Sequence, residues 1–408
     1  MFNRLTRIAS LVLAFGFFIS CSSLQSSTKQ TNTASNLSEK QLREQIDSVD
    51  KQLQDNQQSP DLLYQKGNLL TKLARKQEDP AQRSSLYSEV HQSLFKAAQL
   101  YRNSTAADTE KAQELLKVTW SNEHNQGVQT LQHDSTEGHP NFERAAAHFN
   151  NATIIIPDSA ISYKMEAKTF YKNQQPGKAI KVLEEARNKI DDMPSMLMEQ
   201  LAFLYLESNQ TEKAVQVYEE TESFSTVNLN LLHGLSNAYI SAGDHRKAAA
   251  LLTQLVERKP ENVIYGESLA TELYFIAKQE LENVIPNMRE GNTITETDFS
   301  NADSLLNRAE KQFRKTLDKN PKDQELMLSF ARFYQNSASK YQQLLPFVKQ
   351  ENKVPIESSI KKYVSASIPL LEKVVGQRPD EQRIWQNLYQ AYSFLGMEEK
   401  AQNAKSNL

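Results

Sequence analysis

Cysteine occurs once in the 408 residues, so no disulfide framework is available whatever the redox state of the compartment. Glycine and proline are also sparse, at 11 and 13, which excludes collagen-like and loop-dominated chains and fits a mostly helical one. Charge of one sign is missing: 47 Lys and Arg face 50 Asp and Glu, a net −3, so nothing in the charge balance argues for nucleic acid as a partner. Long apolar runs are missing too. The longest, Ile8 to Ile19, falls short of the roughly 20 residues that span a bilayer core. No H-E-x-x-H, G-x-S-x-G or glycine-rich phosphate loop is present, so metalloprotease, serine-hydrolase and nucleotide-binding chemistry have no motif to stand on. No cofactor is expected.

What is there is periodicity. From Ser159 to Glu261 three stretches align in register. The first carries Tyr163, Ala167, Phe170, Ala179, Leu183 and Ala186; the second Met198, Ala202, Tyr205, Ala214, Tyr218 and Thr221; the third Leu232, Ser236, Tyr239, Ala248, Leu252 and Leu255. Ala179, Ala214 and Ala248 are 35 and 34 positions apart. Within each stretch the apolar residues follow a helical period, and the small ones mark where two helices approach closely. Asn209-Gln210 and Gly243-Asp244 fall between the paired helices, where a chain leaving a helix turns through positive φ. This pattern resembles the tetratricopeptide repeat, with its period near 34. The resemblance implies an all-α, helical-hairpin solenoid coiled as a right-handed superhelix, because no hairpin buries its apolar faces alone.

The pattern stretches on both sides of this block. Ser38 and Gln41 form a capping box that opens a helix through Leu42, Ile46, Val49 and Leu53. Helices are predicted over 61–77 and 80–102, then from Thr109 to His133, then through Ala145, Phe149 and Ala152 to Pro157. Beyond the block, Pro260, Pro321 and Pro379 each close a hairpin, 61 and 58 residues apart, so two repeats are expanded. The surplus lies around 282–303 and 338–362, read as lengthened helix ends and a long loop broken by Pro286, Gly291, Pro346 and Pro355. The expected organisation is thus a leader over 1–20, a tether over 21–37, divergent helices over 38–158 and regular repeats over 159–261. Two expanded repeats over 262–381 and a terminal repeat over 382–408 complete it.

At the N-terminus, Arg4 and Arg7 precede the apolar run, which ends at Ser20-Cys21, the arrangement of a secretory signal. Phe18-Ile19-Ser20-Cys21 resembles the bacterial lipobox, and the whole chain a bacterial tetratricopeptide lipoprotein. That resemblance implies lipidation of Cys21 and a membrane anchor at the new N-terminus. Ser22 to Asn36, rich in Ser, Thr, Gln and Asn, is too polar to fold and reads as a flexible tether. With Ser22 in place of Asp after the cysteine, the sorting behaviour of the lipoproteins it resembles implies the outer membrane, facing the periplasm, with inner-membrane anchoring or cell-surface display as the alternatives.

In this repeat family the first helices line the inner face of the superhelix, where a protein partner binds. The register places Lys164, Lys168, Tyr171, Met196, Glu199 and Phe203 there, followed by His233, Asn237, Glu267, Thr271 and Tyr274. The Lys and Asn clamp by which some members hold a C-terminal carboxylate is not reproduced: Glu199, Phe203 and His233 stand where it would continue. Four of the seven histidines, His124, His133, His139 and His148, cluster in sequence. None pairs with another at i, i+4, and they read as surface residues. The expected function is an envelope scaffold for protein–protein interaction without enzymatic activity. The alternative is a glycan-binding or wall-processing enzyme whose site lies in the expanded repeats.

Overall fold

A computed structural model of the chain describes residues 37–102, 106–137, 141–221, 228–289, 299–348, 350 and 353–408. The leader, Cys21 and most of the tether lie outside them. Every regular element among the described residues is a helix. In order they are α1 (Glu39–Asp55), α2 (Pro60–Lys76), α3 (Ser84–Tyr101), α4 (Ala106–Glu137), α5 (Phe142–Ile155), α6 (Ala160–Lys172), α7 (Pro176–Lys189), α8 (Ser195–Glu207) and α9 (Thr211–Glu220). There follow α10 (Leu229–Ala242), α11 (His245–Arg258), α12 (Val263–Arg289), α13 (Ser300–Lys319), α14 (Gln324–Leu344), α15 (Lys353–Val375), α16 (Gln382–Phe394) and α17 (Glu398–Ser406). Short 3₁₀ turns, Pro80–Arg83 and Leu345–Phe347, precede α3 and follow α14. No described helix is long and apolar enough to cross a membrane.

The chain divides into two compact units, one up to Thr221 and one from residue 222. In each, helices pack against their neighbours in sequence, so the architecture is a stack of helical hairpins. The division falls within the block of three regular hairpins. The third, α10–α11, shares its core with the expanded repeats: Leu232, Leu252, Leu255 and Val256 belong to one cluster with Leu269, Leu273, Phe313 and Phe330.

Local sequence explains the hairpins. Ser38 Oγ accepts from the Gln41 N–H while Gln41 Oε1 accepts from the Ser38 N–H, at 3.3 and 2.8 Å, so the expected capping box starts α1. Asn141, Asp244 and Asp323 cap α5, α11 and α14 with their side chains, satisfying N–H groups that a helix start leaves open. Ala179, Ala202, Ala214 and Ala248 are fully buried, as close approach of paired helices requires. The turns rotate through positive φ at Asn209 (55°), Gly243 (76°) and Gly396 (70°). In the first regular hairpin Gln174 takes that conformation, φ 57°, and the nearby Gly177 does not.

A stitch recurs at one fixed offset. Lys178, Lys213, Lys247 and Lys400 lie over the rings of Phe170, Tyr205, Tyr239 and Tyr392, each eight residues earlier, at 5.2, 5.1, 4.8 and 5.4 Å from the ring centroid. In two hairpins the preceding second helix adds a carboxylate to the same ring: Tyr205 donates to Glu184 and Tyr392 to Glu372, both at 2.6 Å. One aromatic thus ties its own hairpin to the one before it.

The expanded repeats carry the expected lengthened helix ends and depart from expectation at two of the breakers. Their surplus is taken up mainly as helix: α12 and α15 run for 27 and 23 residues, whereas α6 to α11 have between 10 and 14. Pro286, expected as a breaker, lies inside α12, and Pro355 lies in the first turn of α15. The first turn has no intrahelical use for an N–H, so proline is tolerated there. Gly291 is outside the described residues. Aromatic contacts run from the shared core into the added turns: Phe313 stacks on Phe330 at 5.0 Å, Phe330 on Tyr334 at 4.6 Å and Tyr341 on Tyr363 at 5.9 Å. Tyr341 donates to Asp303, and Lys340 pairs with Glu282 at 2.6 Å, joining α14 to α13 and α12.

Candidate functional site

In the first unit the candidate surface is carried by α6 and α8. Tyr171 and Phe203 meet edge to face, 5.9 Å between centroids and 74° between planes. Both are half-buried, whereas Met196 on the first turn of α8 is 44% exposed. Lys164 departs from the expectation of an exposed cation. It is buried, and its Nζ lies 3.1 Å from the Met196 sulfur. A lysine stem is four methylenes long and lies down along apolar surface when a neighbouring helix offers it. Burial lowers the Lys164 pKa, and burial with the nearby Lys172 and Lys164 lowers that of Lys168, which is half-buried. Glu199 is half-buried, and burial raises its pKa. The surface is therefore an apolar strip of Met196, Phe203 and Tyr171 with partly desolvated charges beside it.

In the second unit the expected residues lie on α10 and α12. His233 is buried, its Nε2 3.1 Å from Asn237 Nδ2 and its ring 5.5 Å from that of Tyr265. Burial pushes its pKa down to about 4, so the ring is neutral at pH 7. Its Nδ1 is enclosed without a hydrogen-bond partner. Tyr274 is buried as well, against Phe275 at 5.6 Å and Phe333 at 6.0 Å. The long α14 supplies Phe333, so a side chain placed on an open face by register is covered by the expanded repeat. His233, beside Tyr265, and Tyr274, beside Phe333, accordingly present little surface to a partner. Asn237, Glu267 and Thr271 remain partly accessible.

A second constellation escaped the sequence reading. Glu123 on α4, 1% exposed, accepts from Arg83 Nη1 and the Tyr87 hydroxyl at one oxygen, both at 2.8 Å. At the other it meets His148 Nδ1 at 2.8 Å and accepts from Asn151 Nδ2 at 3.1 Å. Burial alone would raise the carboxyl pKa, but bonds from His148, Tyr87 and Asn151 and the His148 charge outweigh it and hold it at about 2. His148 is thus an internal residue paired to a carboxylate, contrary to the surface role expected of it. His124 is half-buried, its Nδ1 3.1 Å from Ser162 Oγ. The side chains of His133 and His139 are outside the described residues. A signal was present: Glu123 follows Leu116 and Thr119 at helical spacing, and His148 sits between Ala145, Phe149 and Ala152 on one apolar stripe. Among the described residues no group of three His, Cys, Asp or Glu side chains is placed to hold a metal ion.

No family model matches the chain, and no curated protein matches it. Among solved structures it is similar to a crystal structure of MamA, with 16% identity, 50% of this chain and 96% of that one covered, and a TM-score of 0.37. It is also similar to the C-terminal part of a TPR repeat-containing protein from Cytophaga hutchinsonii, with 15% identity, 70% and 93% covered, and a TM-score of 0.46. At such values the architecture rests on the hairpins themselves: an all-α stack of paired helices with tetratricopeptide-like register.

Proposed function

We propose that the protein is a lipid-anchored scaffold that binds another protein in the cell envelope through the first helices of its repeats. The observation that carries the binding role is the strip on α6 and α8, where Met196 stays exposed on a helix whose neighbours Leu197, Met198 and Leu201 are buried. An apolar strip edged by partly desolvated charge suits an amphipathic helix or an extended segment of a partner. The anchor rests on Arg4, the short apolar run and Cys21, followed by a polar tether long enough to hold the helical body away from a membrane. The outer membrane, periplasmic face, is the location that Ser22 supports.

In-cell crosslinking followed by mass spectrometry tests the surface. Met196→Ala combined with Phe203→Ala removes two of the three strip residues while leaving Leu197, Met198, Leu201 and Ala202 to hold the hairpin. The expected result is loss of the main envelope crosslink with helicity and melting kept near the parent's. An unchanged crosslink pattern in a folded variant places the partner elsewhere.

A further inference from the structure

In the first unit, a cleft of about 600 Å³ opens between the Pro80–Arg83 turn, α5 and α6, lined among others by Asp79, Glu143, Asn150, Asn151 and Glu166. Two of these side chains are almost wholly buried, Asn151 at 1% and Glu166 at 4%. The Asn151 amide is oriented by its chemistry. Its Nδ2 donates to the Pro80 carbonyl at 2.9 Å and to Glu123 Oε2 at 3.1 Å, and both are acceptors. Its Oδ1 is left buried with no partner, an acceptor whose desolvation is uncompensated. Glu166 has a related deficit. Burial and the Glu185 carboxylate on α7 push its pKa up to about 8, against one stabilising hydrogen bond from Asn150.

The charged groups around the cleft do not supply what is missing. Asp79 adds a further carboxylate. Glu143 engages Asn173, Gln175 and Lys178, at 3.3, 3.0 and 3.5 Å. Arg144 gives Nη2 to the Glu78 carbonyl at 3.1 Å. Tyr163, on the same helix as Glu166, is a further titratable group in its field. Asn151 Oδ1 lacks a donor of any kind, and Glu166, raised by burial and by Glu185, lacks a positively charged one; a cationic N–H group would serve both.

We propose that this cleft binds a primary ammonium group. On binding, the Glu166 carboxyl releases its proton to solvent and the ammonium keeps all of its own. The neutral acid and free cation become a neutral ion pair plus one hydrated proton. A hydroxyl ligand would satisfy Asn151 Oδ1 but leave Glu166 unchanged, which separates a polyol from an amine. The ammonium comes either from a free amine or from a lysine side chain of a protein. The inference uses none of the residues of the α6–α8 strip and does not rest on the scaffold reading.

Isothermal titration calorimetry on the purified full chain tests it, with putrescine, N-acetyl-lysine amide and the diol analogue of putrescine as probes. At least one amine is expected to bind and the diol not to bind. Putrescine alone binding identifies a free amine as the ligand, and the lysine amide alone binding identifies a partner's side chain. Below the Glu166 pKa, affinity rises about tenfold per pH unit, then levels off above about pH 8. Heats in buffers of different ionisation enthalpy then report proton release. Glu166→Gln is expected to weaken binding at least about tenfold and abolish the pH dependence, with circular dichroism confirming the fold. Silence with both amines, equal binding of the diol, or affinity independent of pH in the parent overturns the proposal. So does unchanged affinity in a folded Glu166→Gln variant. If that variant does not fold, the parent's pH profile and proton release decide alone.

Discussion

Two buried carboxylates in the first unit titrate in opposite directions, and the reason is the company each keeps. Glu123 has four side-chain partners, one of them the Arg83 guanidinium. Its pKa of about 2 lies below the ordinary 4.5, so it stabilises the fold fully above pH 4.5 and loses that contribution as the pH falls towards 2. The shift corresponds to about 3 kcal/mol at neutral pH. Glu123→Ala is expected to cost about 3–5 kcal/mol in urea denaturation at pH 7, because Arg83 and His148 are left buried without their carboxylate. A variant that unfolds at the parent's urea midpoint shows the network to be dispensable. Glu166 has the reverse sign. With a pKa of about 8, its unfavourable effect is absent below pH 4.5 and grows to full size as the pH rises to 8. Glu166→Gln is therefore expected to stabilise the fold, by about 1 kcal/mol or more at pH 7, and the gain should shrink towards pH 5. Thermal melts across that range check it, and a gain independent of pH argues against an ionisable origin.

At the scale of the element, a hairpin depends on one close approach and one stitch. Ala214 is fully buried where α9 meets its neighbours, so Ala214→Leu is expected to overpack and cost about 1–3 kcal/mol, read as a lower melting temperature. A melting temperature equal to the parent's would mean that the register of α8 and α9 tolerates a larger side chain there. The stitch is tested at Tyr205. Removing its hydroxyl by Tyr205→Phe breaks the 2.6 Å bond to Glu184 while keeping the ring under Lys213. The expected loss is about 1–2 kcal/mol, since the acceptor is charged. Lys213→Ala should cost less, about 0.5–1 kcal/mol, because the cation is half in solvent. If the lysine matters more than the hydroxyl, the bond to Glu184 is not what links the two hairpins.

For the whole molecule, the consequential residue is one of the first in the chain. If Cys21 carries lipid, Cys21→Ala is expected to remove the acyl mass and shift the protein from the membrane to the soluble or unprocessed fraction. Mass spectrometry of the mature N-terminus decides this, and an unacylated N-terminus elsewhere removes the anchor from the proposed function. The helical body adds no candidate of its own among the described residues, as no helix there is long and apolar enough to span a bilayer.

Periodicity by itself determined the helical hairpins, their register over 159–261 and the small residues at their contacts. An α-helix repeats every 3.6 residues, and each hairpin repeats the same packing problem. The turns at Asn209 and Gly243 followed for the same reason; the one at Gln174, which has no glycine to mark it, did not. What tertiary structure alone decided was which side chains on the first helices stay in solvent. Lys164, His233 and Tyr274 carry no sequence mark of burial; Met196, Tyr265 and Phe333 cover them from helices about 30 to 60 positions away. The Glu123 network was likewise out of reach, since Arg83, Tyr87, His148 and Asn151 come from three elements and meet only when those elements pack. Helical spacing records which face a residue occupies. It holds no record of what another helix brings to that face, and burial, pKa and exposure all depend on that neighbour.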